Sequence, residues 1–275
     1  MRLPNGPIDR PGRVVSALGT AQTLAWASSY YLPAILAPSM AADLGVETPV
    51  VFAAFSSALI VSAFVGPLAG RLIDRHGGRP ILAGTSVVFA AGLAALGAAQ
   101  DAVTLFAAWA LLGIGMGAGL YEAAFAALVR LYGPDARRAI TGITLFAGFA
   151  STVGWPLSAW MESVAGWRGA CLGWAGIHLS VGLGLNLLLP RAPTTRMQAH
   201  EDASARPDTS TRDSPRTQRA APALLALVFA MVWFVSTAMA AHFPRVLEAA
   251  GASLAVAVAM GALIGPAQVG GRLLE

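Results

Sequence analysis

Glu122 is the most misplaced residue in this sequence, a carboxylic acid inside the otherwise apolar run 103–129. A carboxyl held away from water is costly in either form, and it keeps its proton more tightly than in solution. Two roles are open to it: to take up and release a proton during a working cycle, or to pair with Arg130 or Arg138. A second group lies upstream, where Gln22, Trp26, Ser29 and Tyr30, followed by Pro33, recur at helical spacing. An amide, an indole, a hydroxyl and a phenol on one stripe can wall a binding site with few charges. The same stripe can equally be a helix–helix contact bridged by polar side chains. Ser236 and Thr237 are a further polar pair that can face such a site.

Other reactive side chains carry less. Cys171 is the single cysteine, so neither a disulfide nor a cysteine-based metal site can be built. His178 and Asn186 read as helix-packing residues, and His242 beside Arg245 as an interfacial histidine or a titrating gate. His200 next to Glu201 and Asp202 belongs to a polar stretch and reads as a solvated tail. No metal, no cofactor and no nucleotide-binding loop is expected, and no paired acids or Ser-His pair argues for an enzyme.

The elements that must position these residues follow from composition. Hydrophobic residues make up 56% and charged residues 12%, with a mean hydropathy of +0.64, well outside a soluble domain. A bilayer core of ~30 Å needs about 20 apolar residues per helix. Such runs occur near 14–38, 50–73, 80–99, 103–131, 139–164, 167–189, 221–246 and 253–269. The chain therefore reads as an all-α membrane protein with a lipid bilayer as its solvent. It divides into a six-span N-terminal bundle (1–190), a flexible cytoplasmic linker (191–220) rich in Pro, Ser, Thr and mixed charge, and two further spans (221–275).

The net charge of +4 is carried by arginines alone, there being no lysine. With a cytoplasmic N-terminus, all but Arg168 and Arg245 fall on the cytoplasmic side, a strong positive-inside bias. That pattern argues for a multi-pass protein of the cell inner (plasma) membrane and against a nucleic-acid partner. A first apolar run about twice the length of a signal-peptide core reads as a span rather than a leader.

Between the second and third runs stand Gly70, Asp74, Arg75, Gly77 and Arg79, matching G-x-x-x-D-R-x-G-x-R. The set resembles the loop 2–3 signature of the major facilitator superfamily, and it falls in the expected cytoplasmic loop. Gly154-Trp155-Pro156 is similar to a degenerate Gly-Pro motif of helix 5 in family antiporters. Gly166-Trp167-Arg168 resembles the opening of helix 6. The stretch from His242-Phe243-Pro244 to Gly251 resembles helix 7 of the monocarboxylate and cyanate permease-like branch. Gly66-Pro67 and Gly265-Pro266 echo each other six spans apart, as parallel repeats would. Trp109 stands where many proton-driven drug exporters carry an Arg, which weakens that reading.

The resemblance implies the superfamily fold, here a six-span N-terminal bundle with about two spans of an incomplete C-terminal bundle. It implies secondary active transport of a small solute by alternating access; the branch resemblance and the aromatic stripe favour a small organic anion, and proton coupling is the reading in which Glu122 carries a proton rather than pairing. Asp74 and Arg79, with Arg75, would form a conformational latch; plain positive-inside anchoring is the alternative for Arg75. Gly66 and Gly70, four apart, are expected to admit a neighbouring backbone. Family members have twelve spans, so a C-terminally truncated chain is expected, one that transports poorly alone. A non-transporting receptor or scaffold, or an inactive fragment, is the rival reading.

Overall fold

The computed structural model describes residues 11–191 and 215–274. Of the expected linker at 191–220, residues 192–214 lie outside the described residues. The helix after it begins at Pro215 rather than near Ala221. Among the described residues the chain is helical throughout, and the order follows the apolar runs closely.

The first span is broken. Helix α1 (Pro11–Ser28) stops, the chain turns at 29–31, and α2 (Leu32–Leu44) continues. Pro33 has no N–H for the preceding turn, so the break falls where the sequence removes a donor. The second span is α3 (Thr48–His76) and the third is α4 (Gly78–Gly97). The fourth is broken at Leu120, which has extended dihedrals, into α5 (Ala102–Gly119) and α6 (Tyr121–Tyr132). The fifth starts with α7 (Ala136–Ala147) and runs on into α8 (Ala150–Ile177).

Gly166, at φ 69°, folds α8 back on itself, so its second half belongs to the sixth span. That span ends through a π-helical turn (His178–Gly182) and α9 (Leu183–Leu187). The seventh span is α10 (Pro215–Ala249), and the eighth is α11 (Leu254–Ala262) with α12 (Ile264–Leu274). Thr48–His76, Gly78–Gly97, Pro222–Ala249 and Leu254–Gly271 are each long and apolar enough to cross a membrane, as is the 86-residue run Ala102–Leu187, which reverses at Gly133 and Gly166.

Glycine on the fourth span sets how closely its neighbours pack. A Cβ on Gly113 would lie 2.5 Å from the Ala58 carbonyl oxygen, and one on Gly117 2.6 Å from that of Ser62, so α3 crosses against this face. Gly115 and Gly119 point the other way, where a Cβ would meet Phe89 at 3.2 Å and Thr85 Oγ1 at 2.7 Å on α4. Four glycines at alternate positions thus serve two neighbours, the small-residue packing that replaces the hydrophobic effect in lipid. The close approach expected at Gly66 and Gly70 does not form: Gly70 has open space, and Gly66 meets only the Gly117 carbonyl at 3.9 Å. The partner helix supplies the small residues instead, because one glycine-lined groove suffices for one crossing.

The seventh and eighth spans meet the first six at one end and along the middle of the first and fifth spans. Phe52 meets His242 at 4.4 Å between ring centroids, and Tyr30 hydrogen-bonds Thr237. Gly261 and Gly265 of the eighth span lie against Trp155, Thr152 and Gly148 of the fifth. The Ala262 carbonyl, which Pro266 cannot satisfy one turn on, accepts from the Thr152 hydroxyl at 2.6 Å. Towards the other end, residues 222–232 of α10 are exposed, and the two helix groups part there.

Candidate functional site

The space between the two groups is a cavity of about 480 Å³, within the range of small-molecule sites. Rings dominate its wall. Trp26 stacks on Trp233 at 6.3 Å, packs edge-on to Tyr30 at 4.9 Å and tilts against Tyr121 at 4.8 Å, while Trp155 meets Tyr31 at 5.6 Å. Phe229 and Met239 add apolar surface, and Ser236 and Gln268 add polar groups. Among the described residues no charged side chain lines it.

The breaks in the spans build this wall. The turn at 29–31 puts Tyr30 and Tyr31 side by side on the cavity, which an unbroken helix would not do. The Trp155 indole donates to the Tyr31 carbonyl at 3.1 Å, fixing the turn to the fifth span. Tyr30 donates to Thr237 Oγ1, since the Thr237 hydroxyl is itself donated to the Trp233 carbonyl at 2.7 Å.

Of the residues singled out from the sequence, Trp26, Tyr30 and Ser236 line the cavity, and Thr237 adjoins it through Tyr30. Ser29 does not: it is fully buried and donates to the Ala25 carbonyl at 2.6 Å. The stripe assumed one continuous helix, and the break rotates everything after Ser28. Gln22 also faces elsewhere. Its amide donates at 2.7 Å to the Gly119 carbonyl at the break in the fourth span, beside a small polar chamber shared with Thr85, Ser86, His178 and Asn186.

Glu122 sits in the first turn of α6 and is exposed, on the side opposite the buried Ala123, Ala124, Ala127 and Leu128. The ion pairs among the described residues are Arg168–Asp43 and Arg245–Glu248, so the expected partners Arg130 and Arg138 do not meet Glu122. Asp74 and Arg75 are exposed and Arg79 half-buried, joined by no ion pair among the described residues. The glycines of this loop have clear geometric reasons. Gly77 turns the chain at φ 87°, and a Cβ on Gly78 would lie 2.2 Å from that of Ala127, so the loop packs directly on α6.

Sequence reasoning missed Tyr31, Tyr121 and Trp233 on the wall. Trp233 was within reach of the spacing argument, being three and four residues before Ser236 and Thr237. Tyr121 was not, because nothing in the hydropathy marks the break at Leu120.

These features define a polytopic helical membrane protein with a central cavity between two groups of spans. The chain belongs to the Major Facilitator Superfamily, whose family description matches residues 18–275. It is similar to an uncharacterized 38 kDa protein in a 23S RNA operon of Thermoproteus tenax, 32% identical over 155 residues, or 56% of this chain and 40% of that protein. It is also similar to the 4-hydroxybenzoate transporter PcaK of Pseudomonas putida, 28% identical over 159 residues, or 57% of this chain and 35% of that one.

Among solved structures, a D-xylose-proton symporter superposes with a TM-score of 0.59 at 16% identity, covering 94% of this chain and 66% of that one. A POT family transporter in complex with 5-aminolevulinic acid gives 0.57 at 16%, covering 92% and 50%. At such identities the structures show the fold alone. The chain spans well under half the length of these two curated relatives.

Proposed function

We propose that the chain forms the cavity-bearing part of a secondary transporter for a small organic acid with a planar, aromatic body, working by alternating access. The observation that carries this is the cavity wall, made of tryptophan and tyrosine rings with neutral polar groups among them. Aromatic pairs are worth about 0.5–1.5 kcal/mol beyond their buried area, so a flat ring gains from each face it meets. The PcaK relative, named for an aromatic acid, supports the same class of solute.

Charge then argues for the coupling. A carboxylate entering a cavity without a cation leaves its charge unpaired in a low-dielectric space, which is strongly unfavourable. Moving it together with a proton removes that cost, and this supports proton symport. Glu122, exposed and outside the cavity lining, is the rival proton carrier, and the Asp74, Arg75 and Arg79 loop is proposed as the latch. We place the arginine-rich end in the cytoplasm, where the cavity opens, and the protein in the inner membrane.

The test is a titration of the purified chain with 4-hydroxybenzoate, followed by the fluorescence of the wall tryptophans. Saturable quenching that Trp26→Ala weakens at least tenfold is expected, with cyclohexanecarboxylate binding less well than benzoate. Proteoliposome uptake in an imposed proton gradient separates transport from binding alone. Binding without flux under any gradient would favour a receptor, and no saturable quenching by any aromatic acid would end the assignment.

A further inference from the structure

The polar chamber beside the first span contains a titratable group that the cavity does not use. His178 opens the π-helical turn of the sixth span, where Leu183 N–H reaches back five residues to its carbonyl. Such turns are frequent at functional positions. The ring is 2% exposed and stacks on Phe89 with centroids 4.9 Å apart and planes 18° apart. Its Nε2 lies 2.7 Å from the Ser28 hydroxyl, at the last residue of α1.

What surrounds it has too many acceptors. The Gln22 amide nitrogen is donated to the Gly119 carbonyl at 2.7 Å, and that of Asn186 to the Leu82 carbonyl and Ser86 Oγ, both at 3.0 Å. Both amide oxygens, Gln22 Oε1 and Asn186 Oδ1, are buried without a donor, although their residues are only 2% and 6% exposed. Both residues line the same chamber as His178, whose volume of about 10 Å³ is that of one water molecule. Gly182 keeps the ring's other nitrogen clear, for a Cβ there would lie 3.3 Å from Nδ1 and 3.5 Å from Ser86 Oγ.

We propose that this chamber is a proton-binding site, in which His178 Nδ1 takes the proton and the oxygens of Gln22 and Asn186 receive it as a hydrogen bond, directly or through one water. The Ser28 hydroxyl has the Ala25 carbonyl as an acceptor at 3.4 Å, and in the tautomer whose Nε2–H donates to Ser28 the Nδ1 lone pair is left on the chamber side. Protonation turns that lone pair into a donor where only donors are missing, and the Phe89 face stabilises the imidazolium. The proton comes from water and returns to it.

Among the described residues no charge faces the ring, so neither a cation opposes its protonation nor an anion supports it, and the hydrogen bonds to the amide oxygens must carry the stabilisation. The elements packed on its turn carry Arg13 on α1, Arg79 on α4, and Glu162, Arg168 and Cys171 on α8, and none of these lines the chamber; α9 has no titratable side chain. Ser28, which meets Nε2, lies two residues before Tyr30 on the cavity wall, so the His178 ring is joined to the solute site through the end of α1. The proposal rests on the transport reading for its purpose, supplying the proton that an acid solute requires, and not for its chemistry.

Proton binding is measured directly, by following the histidine ring resonances of the full chain in detergent micelles against pH, with His178 assigned through its contact with Phe89. The expected result is a ring that titrates while the protein stays folded by circular dichroism, with Gln22→Leu and Asn186→Leu each weakening proton affinity about tenfold. A His178 ring that keeps one protonation state throughout, or a titration unmoved by both variants, overturns the site. In parallel, the pH dependence of aromatic-acid binding should be lost in His178→Gln. If the ring titrates as expected while no acid binds, the proton site stands and the solute assignment falls. If binding keeps its pH profile in His178→Gln, the solute assignment stands and the proton site falls.

Discussion

The two ends of the helix bundle are held in opposite ways. At the end carrying Asp43 and Gly166, side chains clamp the helices together. Arg168 pairs with Asp43 at 2.8 Å, donates to the Gly97 and Ala99 carbonyls at 2.9 and 2.5 Å, and lies 4.3 Å over the Trp167 ring. Trp167 donates to the same carboxylate at 3.2 Å, Ser39 donates to Glu162, and Phe52 meets His242. At the arginine-rich end Asp74, Arg75, Arg137 and Arg138 are exposed, and residues 222–232 of α10 are exposed, with Trp233 stacked on Trp26 beyond them. The first six spans are tied by polar clamps at one end and by apolar packing of Ile73, Leu82, Leu128 and Ile143 at the other, while α10 meets them at Phe52–His242 and along the aromatic cavity.

The sharpest way to break this contrast is by crosslinking, where the expected effect is all or none. Cysteines at Phe52 and His242 should be joined nearly completely by a short bifunctional thiol reagent. Cysteines at Leu68 and Leu224, both exposed towards the arginine-rich end, should stay unjoined. The native Cys171 is fully buried and adds no background. Equal crosslinking of both pairs would show that the arginine-rich end closes as readily as it opens, and the contrast would then describe one snapshot of a fluctuating molecule.

A smaller effect separates the ends by stability. Arg168→Ala removes the ion pair and both carbonyl bonds, but its side chain is 39% exposed and that of Asp43 49%, so solvent discounts the pair. A loss of about 1–2 kcal/mol is expected, mostly from the carbonyls left without a donor. Arg168→Lys should recover only part of it, since one ammonium cannot reach all three oxygens. Asp74→Ala at the other end should change stability by less than ~0.5 kcal/mol, as expected of an exposed residue without a partner. Thermal unfolding in detergent measures all three, and a larger loss at Asp74 would reverse the comparison.

Hydropathy displays the spans because lipid demands length and apolarity from each of them, and the motif at Gly70 to Arg79 marks the loop. Both are local properties of the chain. The rotation of a helix about its axis is different, since core and lipid are equally apolar and neither Gln22 nor Ser29 tells which way it points. The breaks at 29–31 and Leu120 then compound the error. Pro33 hints at the first, but the second follows only from packing, with Gly119 against Thr85 and its carbonyl bound by Gln22. His178 was visible as a polar residue in a span, yet its interest lies in the oxygens of Gln22 and Asn186, which come from distant parts of the sequence.

The smallest expected effect lies at the braced end, in the start of the fourth span. Asp101 caps α5: its carboxylate accepts from Thr104 N–H at 2.8 Å, while the Thr104 hydroxyl oxygen accepts from Asp101 N–H at 3.1 Å. The Thr104 backbone bond, aided by its side chain, holds the Asp101 carboxyl below the ordinary value of 3.8. A carboxyl so lowered adds stability in full above that ordinary value, and the contribution is lost as pH falls through the lowered one. Asp101 is fully open to water, so the change is slight, and Asp101→Asn should make unfolding less sensitive to mild acid without altering the cavity. If the acid sensitivity of the wild type were instead unchanged in Asp101→Asn, the brace at this end would owe nothing to the cap and would rest on Arg168 and the ring contacts alone.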